Sequence, residues 1–114
     1  MTQHAELSPE RWARFSLGRQ ILQIAAELER GMSSLRADRL ASLRLGYERV
    51  LRLVDLTVQV NARRGLRREL LRWRGLIAEL YLADAPDPLR HREALLVLLQ
   101  LQPEAAEHIP DLLP

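Results

Sequence analysis

Apolar residues in this chain recur at the spacing of an α-helix, and glycine or proline interrupts the pattern at a few places. Twenty-five of the 114 residues are leucine, whereas aromatic residues make up only 4% of the chain. Leucine favours helices, whereas aromatic and β-branched residues favour strands. A chain of this length can bury one sizeable core. The pattern therefore predicts a single all-helical domain over residues 1–114.

The first predicted helix begins near Ser8, which can cap the free amides, with Pro9 in the first helical position. Apolar residues then follow at steps of three and four as far as about Arg30. Gly31 favours an end to the helix at that point. We therefore expect one continuous helix from about Ser8 to Arg30.

Three further helices are predicted, over about residues 38–62, 66–83 and 88–102. Gly65 separates the first two of these, and the prolines of residues 84–88 separate the next two. Pro103 can start a final helical turn. Because the connections are short, we predict an antiparallel four-helix bundle with up-down-up-down order and a short C-terminal helical turn.

The second predicted helix carries apolar residues on two faces. One face is a heptad seam from Leu40 to Asn61, the spacing that packs neighbouring helices at a shallow angle. The other face carries Leu45, Leu53, Leu56 and Val60. That second face needs cover from the remaining helices or from a second copy of the chain. We predict the latter, so these four residues form the candidate oligomer interface or a contact with a protein partner.

Arginine supplies all 17 basic residues of the chain. Eleven arginines and four acids lie between Arg36 and Arg74, whereas residues 76–114 contain two arginines and seven acids. The densest group, called the basic cluster below, consists of Arg63, Arg64, Arg67, Arg68, Arg72 and Arg74. The planar arginine fork binds phosphate well, and the first turn of a helix favours an anion. The cluster therefore predicts a polyanion site, with the backbone of RNA or DNA as the candidate ligand.

The same arginines also suit a structural role. Arg63 and Arg64 follow the C-terminal end of the second predicted helix, where cations are stabilising. Long arginine stems can also lie over the edge of a core with their charged groups in water. The sequence leaves open whether the basic cluster pairs with the protein's own acidic segment or binds an external polyanion.

Recognised motifs for catalysis or cofactor binding are missing from the sequence. It has no cysteine, no Gly-rich phosphate loop and no His-Glu-x-x-His. The nearest approach to metal-ligand spacing is Glu104 with His108, on a terminal segment. His91 lies between Arg90 and Arg92, whose charges disfavour its protonated form, and we expect it at the surface or at an interface. We predict a non-catalytic protein with no cofactor, no metal and no small-molecule substrate.

Aromatic residues that lie between arginines can stack nucleic-acid bases. The third predicted helix repeats the apolar seam with Leu66, Leu70, Trp73, Ile77 and Leu80. Tyr47 and Trp73 occupy seam positions, which predicts that they pack in the core. Trp12 and Phe15, near the start of the first predicted helix, are better candidates for partial exposure, but without clustered arginines they indicate a hydrophobic contact.

The longest unbroken apolar run, residues 94–99, is far shorter than the roughly 20 residues that cross a bilayer. No secretory signal is visible in the first residues. We therefore expect a cytoplasmic accessory or adaptor protein without membrane contact, acting through self-association and protein–protein contacts. The alternative is a nucleic-acid-binding accessory protein that uses the basic cluster.

Overall fold

The computed structural model describes residues 7–107 and contains six α-helices. These are α1 (Pro9–Trp12), α2 (Leu17–Gly31), α3 (Leu40–Val60), α4 (Arg64–Leu82), α5 (Pro88–Leu99) and α6 (Pro103–Ala106). Two short 3-10 turns, Met32–Ser34 and Ala37–Arg39, join α2 to α3. No strand occurs within residues 7–107, so the all-helical prediction is confirmed there.

The single first helix predicted from the sequence is wrong, because the chain forms two helices in this region. Ser8 caps α1, because its hydroxyl oxygen accepts a hydrogen bond from the backbone N–H of Arg11 at 3.2 Å. Ser16 caps α2 in the same way, also at 3.2 Å. The break between them turns Trp12 into the core, where its side chain is fully buried.

Gln20 stabilises the break between α1 and α2. Its side-chain Nε2 donates to the carbonyls of Trp12 at 2.9 Å and of Phe15 at 3.0 Å. The Trp12 carbonyl also accepts the backbone N–H of Phe15 at 3.2 Å, and Gln20 is itself buried. Burying a polar group costs free energy unless it is hydrogen-bonded, so these bonds fix the path of the chain at this position.

The four longer helices pack against one another, and the two short helices pack on them. The α2 helix contacts α3 and α5, α3 contacts α4, and α4 contacts α5. The short α1 packs on α3, and α6 packs on α2 and α5. Asn61, just after α3, donates from Nδ2 to Oε1 of Gln20 near the start of α2, at 2.9 Å. These contacts close one apolar core among the helices.

The seam predicted on α4 lies in that core. Its five residues, Leu66, Leu70, Trp73, Ile77 and Leu80, are all buried. The indole Nε1 of Trp73 donates to the carbonyl of Ala94 on α5 at 2.8 Å. Tyr47 is also buried, so the prediction of core packing is confirmed for both of these aromatic residues. Within residues 7–107, none of the helices is both long and apolar enough to cross a bilayer.

Candidate interaction surfaces

Two arginines hold the ends of α3 and α4 together. Arg67 Nε donates to the carbonyls of Val58 at 3.0 Å and of Asn61 at 2.6 Å, at the C-terminal end of α3. Arg44 on α3 donates from Nε to the Tyr81 carbonyl at 3.2 Å and from Nη2 to the carbonyl of Ala83 at 2.8 Å, at the end of α4. Each helix thus supplies a cation to the carbonyl end of the other, where the helix dipole favours it.

Two more members of the basic cluster pair with acids of the same chain. Arg74 forms a two-point contact with Asp55 on α3, at 2.7 and 3.2 Å, and this hydrogen-bonded contact raises the pKa of the guanidinium. Arg72 pairs with Glu69 one turn earlier on α4, at 3.3 Å. The Arg72 pair is well exposed, so it contributes little stability.

The remaining three members of the basic cluster are exposed. Arg63, Arg64 and Arg68 make no ion pair within residues 7–107. They lie at the corner between α3 and α4, and α4 begins at this corner without a side-chain cap. The structure therefore separates the predicted basic cluster into paired arginines and an exposed group at one corner.

The fold brings three further arginines to the end of the molecule that contains this corner. Trp12 Nε1 donates to Oγ1 of Thr57, near the end of α3, at 2.9 Å. That bond and the bond between Asn61 and Gln20 hold residues 11–20 against the end of α3. Arg11, Arg14 and Arg19 belong to this segment, and all three are exposed. Sequence reasoning did not group them with the basic cluster, although an antiparallel first pair of helices would have indicated it.

Two residues of the predicted oligomer interface belong to the core. Leu53 is fully buried and Leu56 is buried, so the expectation that they form an outer face is wrong. The reason is that α3 packs against α1, α2 and α4, which together cover both of its apolar faces. Val60 is half-buried against the core, and only Leu45, at 56% exposure, is an exposed residue of this set.

An exposed apolar strip lies on the outer face of α4 instead. Leu71 is 52% exposed and Leu82 is 72% exposed. Gly75 and Ala78 lie between them, so the four residues follow one another at steps of four, three and four on one side of the helix. A separate groove between α4 and α5 is lined by Leu76, Leu80, Ala94 and Val97 with Arg90 and Glu93.

His91 is buried, which contradicts the expectation of a surface or interface position. Its ring is 0% exposed and lies between Tyr47 and the carbonyl of Leu28, each 2.7 Å from one ring nitrogen. Burial lowers the pKa of His91, and this effect outweighs the hydrogen bond to the carbonyl. Burial, with a smaller effect of Asp87, raises the pKa of Tyr47. Both ring nitrogens are occupied, so neither is free to act as a base or a metal ligand.

Other acidic and histidine side chains give no metal centre in the described part of the chain. No group of three or more such side chains within residues 7–107 is arranged to hold a metal ion. His108, which the sequence pairs with Glu104, lies outside the described residues.

The geometry therefore offers two exposed surfaces, the apolar strip of α4 and the arginine-rich end. A comparison with known proteins finds no matching protein family, no similar curated protein and no similar solved structure.

Proposed function

We propose that this protein is a non-catalytic accessory module that self-associates through the outer face of α4. The α4 strip consists of Leu71, Gly75, Ala78 and Leu82. The observation that carries the proposal is that two exposed leucines flank two small residues on one side of a long helix. Apolar residues repeated at this spacing form the seam of paired helices.

Gly75 supports a close contact at the centre of this strip. A Cβ atom added to Gly75 would meet no other atom within 4 Å, and no glycine in the described part of the chain has a positive φ. Neither space nor backbone conformation thus requires glycine here, although glycine within a helix costs about 1 kcal/mol relative to alanine. A second helix that approaches the backbone at Gly75 would account for the residue.

The charges along α4 support an antiparallel pair of copies. The first half of its exposed surface carries three arginines, Arg64, Arg68 and Arg72, against one acid, Glu69. The second half carries Glu79, and Asp84 follows the helix. If Leu71 faces Leu82 of the second copy, Arg72 comes within about one turn of Glu79 of that copy. A parallel pair would instead bring the two arginine-rich halves together, which is unfavourable.

Arg72 and Glu79 already form ion pairs within one chain, and these pairs are weak enough to be replaced by a pair between two copies. Arg72 contacts Glu69 at 3.3 Å, and Glu79 contacts Arg90 at 3.4 Å. All four side chains are about half exposed or more, and exposed pairs of this kind contribute roughly 0–1 kcal/mol. Their rearrangement at an interface would therefore cost little.

Three finer predictions accompany this proposal. The up-down-up-down order of an antiparallel four-helix bundle is supported by the hydrogen bonds that join the start of α2 to the end of α3 and the start of α3 to the end of α4. A cytoplasmic location and a single domain over residues 1–114 stay predictions from the sequence.

The solution mass of the purified protein tests this proposal. Sedimentation equilibrium should give twice the chain mass of 13.1 kDa. The double variant Leu71→Gln with Leu82→Gln should give the single mass, because it removes the apolar contact without touching the core. Leu45→Gln is the matched control, since Leu45 is similarly exposed but lies on α3. It should leave the dimer intact.

Gly75→Gln separates loss of the contact from loss of folding. Glutamine favours a helix more than glycine does, so the folded chain should gain stability. The long side chain would nevertheless block a close approach of the second copy, and the dimer should be lost. A single mass for the unaltered protein at concentrations of tens of micromolar, or dissociation by Leu45→Gln alone, would overturn the α4 contact.

A further inference from the structure

The end of the molecule where α3 meets α4 carries exposed arginines from two distant parts of the sequence. Arg11, Arg14 and Arg19 come from the α1–α2 region, and Arg63 and Arg64 come from the α3–α4 corner. These five residues are called the basic end below. The hydrogen bonds of Trp12 to Thr57 and of Asn61 to Gln20 fix the two segments against each other.

Little negative charge offsets the basic end. None of its five arginines makes an ion pair within residues 7–107, and Arg19 instead places its guanidinium 6.0 Å from the centre of the Phe15 ring. Among the residues with described side chains, Glu10 in α1 and Glu107 after α6 lie on this side of the fold. The arginines that do serve the fold, such as Arg67 and Arg74, point to α3 instead. The basic end thus has a positive charge that the fold itself does not use.

The surroundings of the basic end favour contact with a nucleic-acid backbone over reading of bases. Trp12, Tyr47 and Trp73 are buried, so they offer no exposed ring on which a base could stack. Phe15 is half-buried, and Arg19 lies over its ring. The groups that the basic end exposes to a nucleic acid are therefore its guanidinium groups. Guanidinium groups bind phosphate oxygens without sequence preference.

We propose that the basic end binds the phosphate backbone of a nucleic-acid duplex, independently of base sequence. This activity goes beyond self-association and does not depend on it. Because each neutralised phosphate releases counterions, five contacts to duplex DNA predict a slope of log affinity against log salt of about −4 to −5.

Fluorescence anisotropy with labelled DNA and RNA duplexes of two unrelated sequences tests the proposal. The protein should bind both sequences equally, and its affinity should fall steeply as salt rises from 50 to 200 mM. The variant Arg14→Gln with Arg64→Gln removes one arginine from each segment of the basic end. Its salt slope should be smaller in magnitude by about two, and its affinity at low salt should fall at least tenfold.

The matched control is Arg39→Gln with Arg92→Gln. Both residues are exposed and without an ion pair in the described part of the chain, and they lie at the opposite end of the molecule, beside the starts of α3 and α5. The control changes the net charge by the same amount as the Arg14 and Arg64 variant, yet it should retain the affinity. Equal losses in the two variants would mean that net charge alone drives binding, and the site would be refuted. Failure to bind either duplex, or binding only to vesicles containing phosphatidylserine, would also refute it.

Discussion

The hydroxyl of Tyr47 on α3 lies 2.7 Å from Nδ1 of His91 on α5. The second ring nitrogen, Nε2, lies 2.7 Å from the carbonyl oxygen of Leu28 on α2. A carbonyl can only accept, so Nε2 carries the proton and Nδ1 accepts from the tyrosine hydroxyl. The neutral ring is therefore fully hydrogen-bonded, and it links three helices in the core.

This arrangement predicts that acid destabilises the protein through His91. Burial lowers the pKa of His91 in the folded chain below its ordinary value of 6.5. The unfolded chain therefore binds a proton more readily as the pH falls below 6.5. The contribution of neutral His91 to the free energy of unfolding is complete above that pH. It is lost as the pH falls below it, at up to about 1.4 kcal/mol per pH unit. Urea unfolding at pH 7.5 and pH 5.5 measures this difference.

His91→Gln is the control for the pH dependence. Glutamine retains one donor and one acceptor but does not titrate, so this variant should be less stable at pH 7.5 yet lose less stability between pH 7.5 and pH 5.5. If the variant loses as much stability as the unaltered protein over this range, the effect arises from the carboxylates and the assignment to His91 is wrong.

The sequence is informative about helices whose ends are marked by residues with few conformational options. Pro88 begins α5 as predicted, and the predicted α4 seam lies in the core. These two features follow from local chemistry, because periodicity, proline and capping act within a few residues. The prediction that Gly65 separates two helices is wrong, because Gly65 is the second residue of α4.

The features that escaped prediction depend on contacts between distant residues. The break after Trp12 is stabilised by Gln20 and by Thr57, which lies 45 residues further along the chain. The burial of Leu53 depends on the packing of three other helices on α3. His91 appears polar and flanked by charges in the sequence, yet Tyr47 and Leu28 supply its partners from other helices. Local patterns contain no information about such pairings.

Two glycines should respond in opposite directions to substitution by alanine. A Cβ atom at Gly31 would lie 3.3 Å from Cε1 of His91, a ring that its two hydrogen bonds hold in place. We therefore expect Gly31→Ala to destabilise the fold by about 1 kcal/mol, since the crowding outweighs the gain in helix propensity. A Cβ atom at Gly75 would meet no other atom within 4 Å, so Gly75→Ala should stabilise the fold by about 1 kcal/mol through its higher helix propensity.

The glycine comparison is best made in the Leu71→Gln with Leu82→Gln background, so that the proposed α4 contact does not enter the measured free energy. Urea unfolding of the two alanine variants then measures the change in the free energy of unfolding at each position. Equal changes at both positions would show that the ring of His91 yields to the new methyl group.

Two neighbouring arginines of the basic cluster should differ in their effect on stability. Arg67 donates to two carbonyls at the end of α3, whereas Arg68 is exposed and makes no ion pair in the described part of the chain. Arg67→Met keeps the apolar stem but leaves those carbonyls without their charged donor, which should cost about 1–2 kcal/mol. Arg68→Met removes only an exposed charge and should change stability by less than about 0.5 kcal/mol. Thermal unfolding of both variants measures the contrast, and equal losses would mean that Arg67 does not stabilise the end of α3.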